Sequence, residues 1–212
     1  MMRRFVIVVS GAAAVVLVAT GAGAATIAIT AKSLATATYS APVFVPLTLG
    51  TANVGPRVGR ADRTDTTTVA YSQQVKQSTL CSSWSNASNT QTLGGVTLTL
   101  NDNAGATGND TLTVGAVPAT CATGFHFGTI DTGSNAYVTT GAVSFTNSTI
   151  DLTQTATSTT LVLTFGAPGG PGNRGTVAAG SAAIYAPDAT LQDTANRAIG
   201  TNQAASTSTV QW

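Results

Sequence analysis

The chain has 212 residues, of which 43% are hydrophobic and only 8% charged, with a formal net charge of +1 and no glutamate. That hydrophobic share builds an ordinary core for one large domain, or one domain with a short arm, but soluble domains usually carry roughly 25% charge. A near-neutral chain offers no electrostatic footprint for nucleic acid or an anionic membrane, and its weak self-repulsion favours self-association or wall adhesion.

The first segment is an address. Arg3 and Arg4 precede an uncharged run from Phe5 to Ala31, with small residues at Ala22-Gly23-Ala24. A basic start, an apolar stretch and a small-residue exit make a secretory signal over 1–24, cleaved after Ala24. Left uncleaved, the run to about residue 31 is long enough to span roughly 30 Å of hydrocarbon as an anchor helix. Either outcome places the rest of the chain outside the cytoplasm, at the cell surface or beyond it. Any membrane contact then runs through this segment alone.

Residues 25–64 read as an arm and linker. Pro42 and Pro46 confine any strand there to a sheet edge. The stretch GPRVGRADRTD (55–65), with Arg57, Arg60, Asp62 and Arg63, is solvated and turn-prone, with contact to an anionic wall polymer as the sharper reading.

From Asp65 an alternation with period two begins, predicting strands. Thr67, Val69 and Tyr71 share a face; SQQVKQSTLCSSW then crosses over with at most a helical turn. VTLTL (96–100) and TLTVG (111–115) form a hairpin that buries Val96, Leu98 and Leu100. FHFGTI turns Phe125 and Phe127 inward and His126 outward. AYVTT (136–140), STIDLT (148–153) and TLVLTF (160–165) follow, the last burying Leu161, Leu163 and Phe165. AAIYA (182–186) and STVQW (208–212) close the series. Short strands between Gly, Asn, Asp and Ser turns predict an all-β sandwich of about seven to nine strands over 65–212.

Cys81 and Cys121 are the only cysteines, and outside the cytoplasm a disulfide is their default. A catalytic thiol needs a histidine beside it, and the only one is His126, an outward strand residue without a second histidine to share a metal. The eight aspartates are scattered, and no Gly-x-Ser-x-Gly elbow appears. No catalytic, cofactor-binding or metal-binding residues are therefore assigned. The loop NDNAGATGND (101–110) superficially matches a calcium loop but has Leu112 where the bidentate acid belongs, and its composition equally serves a turn. GAPGGPGNRG (166–175) is expected as a long flexible loop. Trp84 and Trp212 are the aromatic candidates for contact with a sugar or a protein, Trp84 alternatively packing near the disulfide.

DTTTVAYSQQVKQSTLCSSW (65–84) is similar to the opening of bacterial Ig-like domains of secreted and surface proteins, through Asp65, Thr66, Val69, Tyr71, Ser72, Val75, Ser78 and Leu80. YAPDATLQDTANRA (185–198) resembles their ending through Tyr185, Pro187, Leu191, Asp193, Ala195 and Asn196, without the usual Gly before the Asn. The resemblance implies an Ig-like β-sandwich in an exported protein of a high-GC Gram-positive bacterium, acting as a spacer, stalk or wall-associated module. The expected function is thus structural or adhesive, with cell-wall polymer or other surface proteins as partners. The alternative is a carbohydrate-binding module for wall or environmental polysaccharide, which would show exposed aromatic rings in a row. A secreted enzyme would instead show aspartates converging in a cleft.

Overall fold

The computed structural model describes residues 45–105 and 108–212; the signal or anchor and the 25–44 part of the arm lie outside the described residues. The described chain is all-β and antiparallel, its one short helical piece a 3-10 turn at Gln77–Thr79 inside the expected crossing. The strands are β1 (Pro46–Ala52), β2 (Thr66–Tyr71), β3 (Thr90–Asn101), β4 (Thr111–Val114), β5 (Gly128–Asp131), β6 (Val138–Thr140), β7 (Ala142–Gln154), β8 (Thr159–Thr164), β9 (Ala167–Gly169), β10 (Asn173–Arg174), β11 (Ile184–Pro187) and β12 (Ala204–Ala205).

Nine of them form one ribbon in the order β1-β2-β8-β7-β3-β4-β5-β11-β12, with β9 added to β7 and β10 paired with β6 apart. A single parallel bridge from Leu49 to Ser206 brings the two ends of the ribbon together, so the sandwich is nearly a closed barrel. Closure hides the unpaired backbone that an edge strand would expose.

The long pair β3·β7 is the spine. Its register shifts between Leu93 and Val96 and again before Leu98, and Asn147 takes a left-handed φ of 56° opposite the shift. Such irregularities let a strand bend from one layer into the other. The Ser148 hydroxyl fixes the bend by donating to the Phe145 carbonyl at 2.8 Å and accepting from the Gly166 N–H at 2.9 Å. At Gly166 the β8–β9 chain crosses so close that a methyl would stand 1.9 Å from the Thr146 carbonyl oxygen, and only glycine fits.

The interior follows the alternation. Thr67, Val69 and Tyr71 are buried on β2, Val96, Leu98 and Leu100 on β3, and Leu161, Leu163 and Phe165 on and after β8. Their β-branched and aromatic neighbours suit a pleated surface packed on one side. The outer positions of β2 and β8 are mainly threonine, with Ala70 and Val162, and carry no charge.

The edge strand that residues before the linker were expected to allow is β1, hydrogen-bonded along β2 at the end of the ribbon. Other expectations change. The 55–65 linker is tied down rather than solvated. Asp65 is fully buried and accepts N–H bonds from Val54 (2.8 Å), Gly55 (2.7 Å) and Asp62 (2.7 Å). Asp62, also buried, pairs with Arg60 at 2.8 Å and with Arg174. The 166–175 stretch is not a free loop either, since it supplies β9 and β10. Removing the Asp65 carboxylate strands three donors in a dry site, so Asp65→Ala should cost about 3 kcal/mol in chemical denaturation. A change under about 0.5 kcal/mol, the scale of an ordinary surface substitution, would show that water reaches these donors.

The two segments that carry the Ig-like resemblance lie side by side. Val75 bridges Asp193, and Lys76 N–H donates to the Gln192 carbonyl at 2.7 Å. The missing glycine is compensated by Asn196, which itself takes φ 61°, and by Asp193, whose Oδ1 accepts from Ala195 and Arg197 N–H at 2.9 Å each. Asparagine is the non-glycine residue that tolerates this backbone best.

Candidate functional site

Cys81 and Cys121 are bonded, with Cα atoms 4.9 Å apart, as expected. The bond joins the 3-10 crossing to the connection between β4 and β5. Trp84, three residues after Cys81, packs edge-on against Phe125 with ring centroids 5.4 Å apart and is only 7% exposed. Trp212 is 2% exposed. Its indole stands edge-on to Tyr137 (5.2 Å) and Phe165 (5.1 Å), and its Nε1–H donates to the Thr66 carbonyl and Thr67 hydroxyl at 3.1 Å each. Neither tryptophan presents a face to a ligand. The tyrosines and phenylalanines among the described residues are all buried with them, so no row of exposed rings is found there.

His126 does point outward, half-exposed, with Nδ1 3.3 Å from Asp188 Oδ2. Asp188 Oδ1 accepts from the Thr190 N–H (2.8 Å) and hydroxyl (2.6 Å). Partial burial pushes the Asp188 carboxyl up, but the Thr190 bonds and His126 outweigh it and hold the group below the usual aspartate range. This pair joins residues 62 apart in sequence, and no local pattern marks it.

Beneath it, the Tyr71 hydroxyl donates to that of Tyr185 at 2.6 Å, and Tyr185 donates onward to the Phe127 carbonyl. Burial raises the Tyr71 phenol despite that bond, and raises Tyr185 further with Tyr71 and Asp188 nearby. Tyr137 is pushed up to about 12 by burial, against its bond to Gln211. A raised phenol contributes stability that is complete below the ordinary tyrosine value of about 10 and is lost as pH rises through the folded value. Ultraviolet titration should therefore find these three phenols silent above about pH 10 until the fold opens, with phenolate appearance and alkaline unfolding coinciding. Phenolate forming at Tyr71, Tyr137 or Tyr185 in still-folded protein would contradict the burial.

The described residues of the 101–110 loop are organised around Asp110. That carboxylate is buried and accepts from Asn103 N–H (3.1 Å) and Val138 N–H (2.8 Å); burial, partly countered by these bonds, raises its pKa. Asn103 takes the left-handed φ of 50° that the turn needs. Among the described residues no three His, Cys, Asp or Glu side chains gather to hold a metal ion.

Beside this turn, on the outer face of β4, β5 and β11, lies a shallow hollow of about 340 Å³. Thr111, Thr129, Asp131, Ile184 and Gln203 are among its lining residues. Asp131 Oδ1 is held by the Asn109 amide (2.8 Å) and Gly133 N–H (2.9 Å). Asp131 is the one ionisable side chain among the residues that line the hollow. Sequence reading missed the hollow because its residues come from four separated segments. Comparison with family models, with curated proteins and with solved structures finds no match for this chain.

Proposed function

We propose that the chain is a secreted or membrane-tethered surface module, structural or adhesive in role and without catalytic activity, of the bacterial Ig-like kind its two short motifs resemble. The observation that carries the reading is how the charged groups are used. Each of the eight aspartates accepts a hydrogen bond or ion pair, and Asp62, Asp65, Asp110 and Asp193 are buried as clamps on neighbouring backbone or arginine. Carboxylates buried in this way support a framework role for the charged groups. The disulfide supports an oxidising compartment, where such bonds persist. Contacts with cell-wall polymer or other surface proteins would then come from loops and hydroxyl-bearing faces. The polysaccharide-binding alternative has no ring platform among the described residues to support it.

Retention of the full chain on purified cell-wall polymer, and on cells displaying it, tests the reading. Retention on either without turnover of the polymer is expected. Polymer cleavage by the purified chain, or retention on neither support, would overturn it.

A further inference from the structure

The described part of the molecule exposes three large hydrophobic side chains strongly: Val54 (64%), Val58 (75%) and Ile184 (38%). Two stand on the loop between β1 and β2, and the third lines the hollow. The cations divide in the same way. Arg60 and Arg174 pair with Asp62, Arg197 with Asp193, and Lys76 with the Asn196 side chain. Among the described residues, Arg57 and Arg63 keep exposed side chains that meet no acid. Both lie on the valine loop.

The loop is rigid at its base. Asp65 holds Val54 and Gly55, Gly59 N–H donates to the Trp212 carbonyl at 2.6 Å, and the Val177 N–H donates to the Gly59 carbonyl at 2.7 Å. Its tip therefore presents apolar and cationic groups without first having to order. The hollow offers the opposite character. Ile184 and Ala186 form an apolar wall, and Asp131 is the only charged lining residue. Asp131 Oδ1 takes both of its donors, leaving Oδ2 beside Gly105, where a methyl would sit 2.9 Å from that oxygen. Asp131 is partly exposed, and any side chain at position 105 would crowd that oxygen.

We propose that the valine–arginine loop of one chain docks into the Asp131–Ile184 hollow of a second copy. An arginine meets Asp131, and a valine packs on Ile184. A net charge of +1 conceals this, because it averages a cationic loop against an anionic hollow. Two different patches make a heterologous contact, which propagates into open chains unless rotation happens to close a ring. The inference goes beyond the surface-module reading and holds whether or not the chain is exported.

Two half-disabled variants of the full chain provide the test, read by sedimentation velocity over a concentration series at low and high salt. Arg57→Gln with Arg63→Gln disables the loop, and Asp131→Lys disables the hollow. Wild type should form species longer than dimers that shorten as salt rises, and each variant alone should associate roughly tenfold more weakly or not at all. Mixed, they should pair and stop at the dimer, because only one live loop and one live hollow remain. Ile184→Lys repeats the hollow arm should Asp131→Lys fail to fold. Monomeric wild type, variants that associate like wild type, or mixtures that never pair would each overturn the proposal.

Discussion

Replacing both cysteines with alanine should lower the unfolding free energy by about 4 kcal/mol, read as a lower denaturant midpoint with a steeper slope, because the unfolded chain without the bond exposes more surface. The magnitude follows from chain entropy: the bond closes a segment with a sequence separation of 40, and the unfolded ensemble loses that closure when the bond is absent. The bonded ends are both in the core, so the native side also contributes. Cys81 and Cys121 are buried, and Trp84 and Phe125 pack nearby. A domain of this size typically has 5–15 kcal/mol in total, so the reduced protein should stay folded at low temperature but with a much narrower margin. A double-alanine protein as stable as the oxidised wild type would mean that the hairpin between the cysteines holds that region together unaided.

Trp212→Ala should cost about 4 kcal/mol, the scale for emptying a site of this size in a core. The indole fills the end of the sandwich between Tyr137 and Phe165, and its N–H satisfies the Thr66 carbonyl at the start of β2. Trp212→Phe separates the two contributions. It keeps much of the ring packing while removing a hydrogen bond, a loss of about 1 kcal/mol beyond the volume change. Because Gly59 leans on the Trp212 backbone carbonyl, the alanine variant should also loosen the 53–59 loop, seen as faster amide exchange at Gly59. If Trp212→Ala unfolded at the wild-type midpoint, the indole would have to be lying outside the core.

Legibility in the sequence followed the range of the interaction. β2, the β3–β4 hairpin and β8 were readable because burial on one face imposes period two on adjacent residues, as Thr67-Val69-Tyr71 and Leu161-Leu163-Phe165 show. The last segment broke the rule. STVQW alternates, yet it forms no strand; Gln211 and Trp212 are buried consecutively, and the Gln211 amide answers to Thr51 and Ser208. The closing strand is instead the two-residue β12, too short to leave any periodicity.

Closure of the ribbon at Leu49 and Ser206 was equally invisible, since neither residue's neighbours announce a partner so distant in sequence. The 55–65 segment misled for a chemical reason. Gly, Pro, Arg and Asp mark exposed linkers on average, but here the aspartates turn inward to accept N–H bonds and arginine. Trp84 packs near the disulfide, the alternative its sequence position offered, and Trp212 is buried as well: in a chain with so few aromatics the core takes the large rings first. The disulfide was legible because only one pairing was available once an oxidising compartment was assumed.

The most direct test of the whole account is peptide mass spectrometry, without and with reduction, on the protein collected from the exterior of cells that express the full chain. The account predicts recovery outside the cytoplasm, with the Cys81 peptide covalently joined to the Cys121 peptide until reductant is added. Recovery only from the cytoplasm, with both thiols free to alkylate, would contradict it.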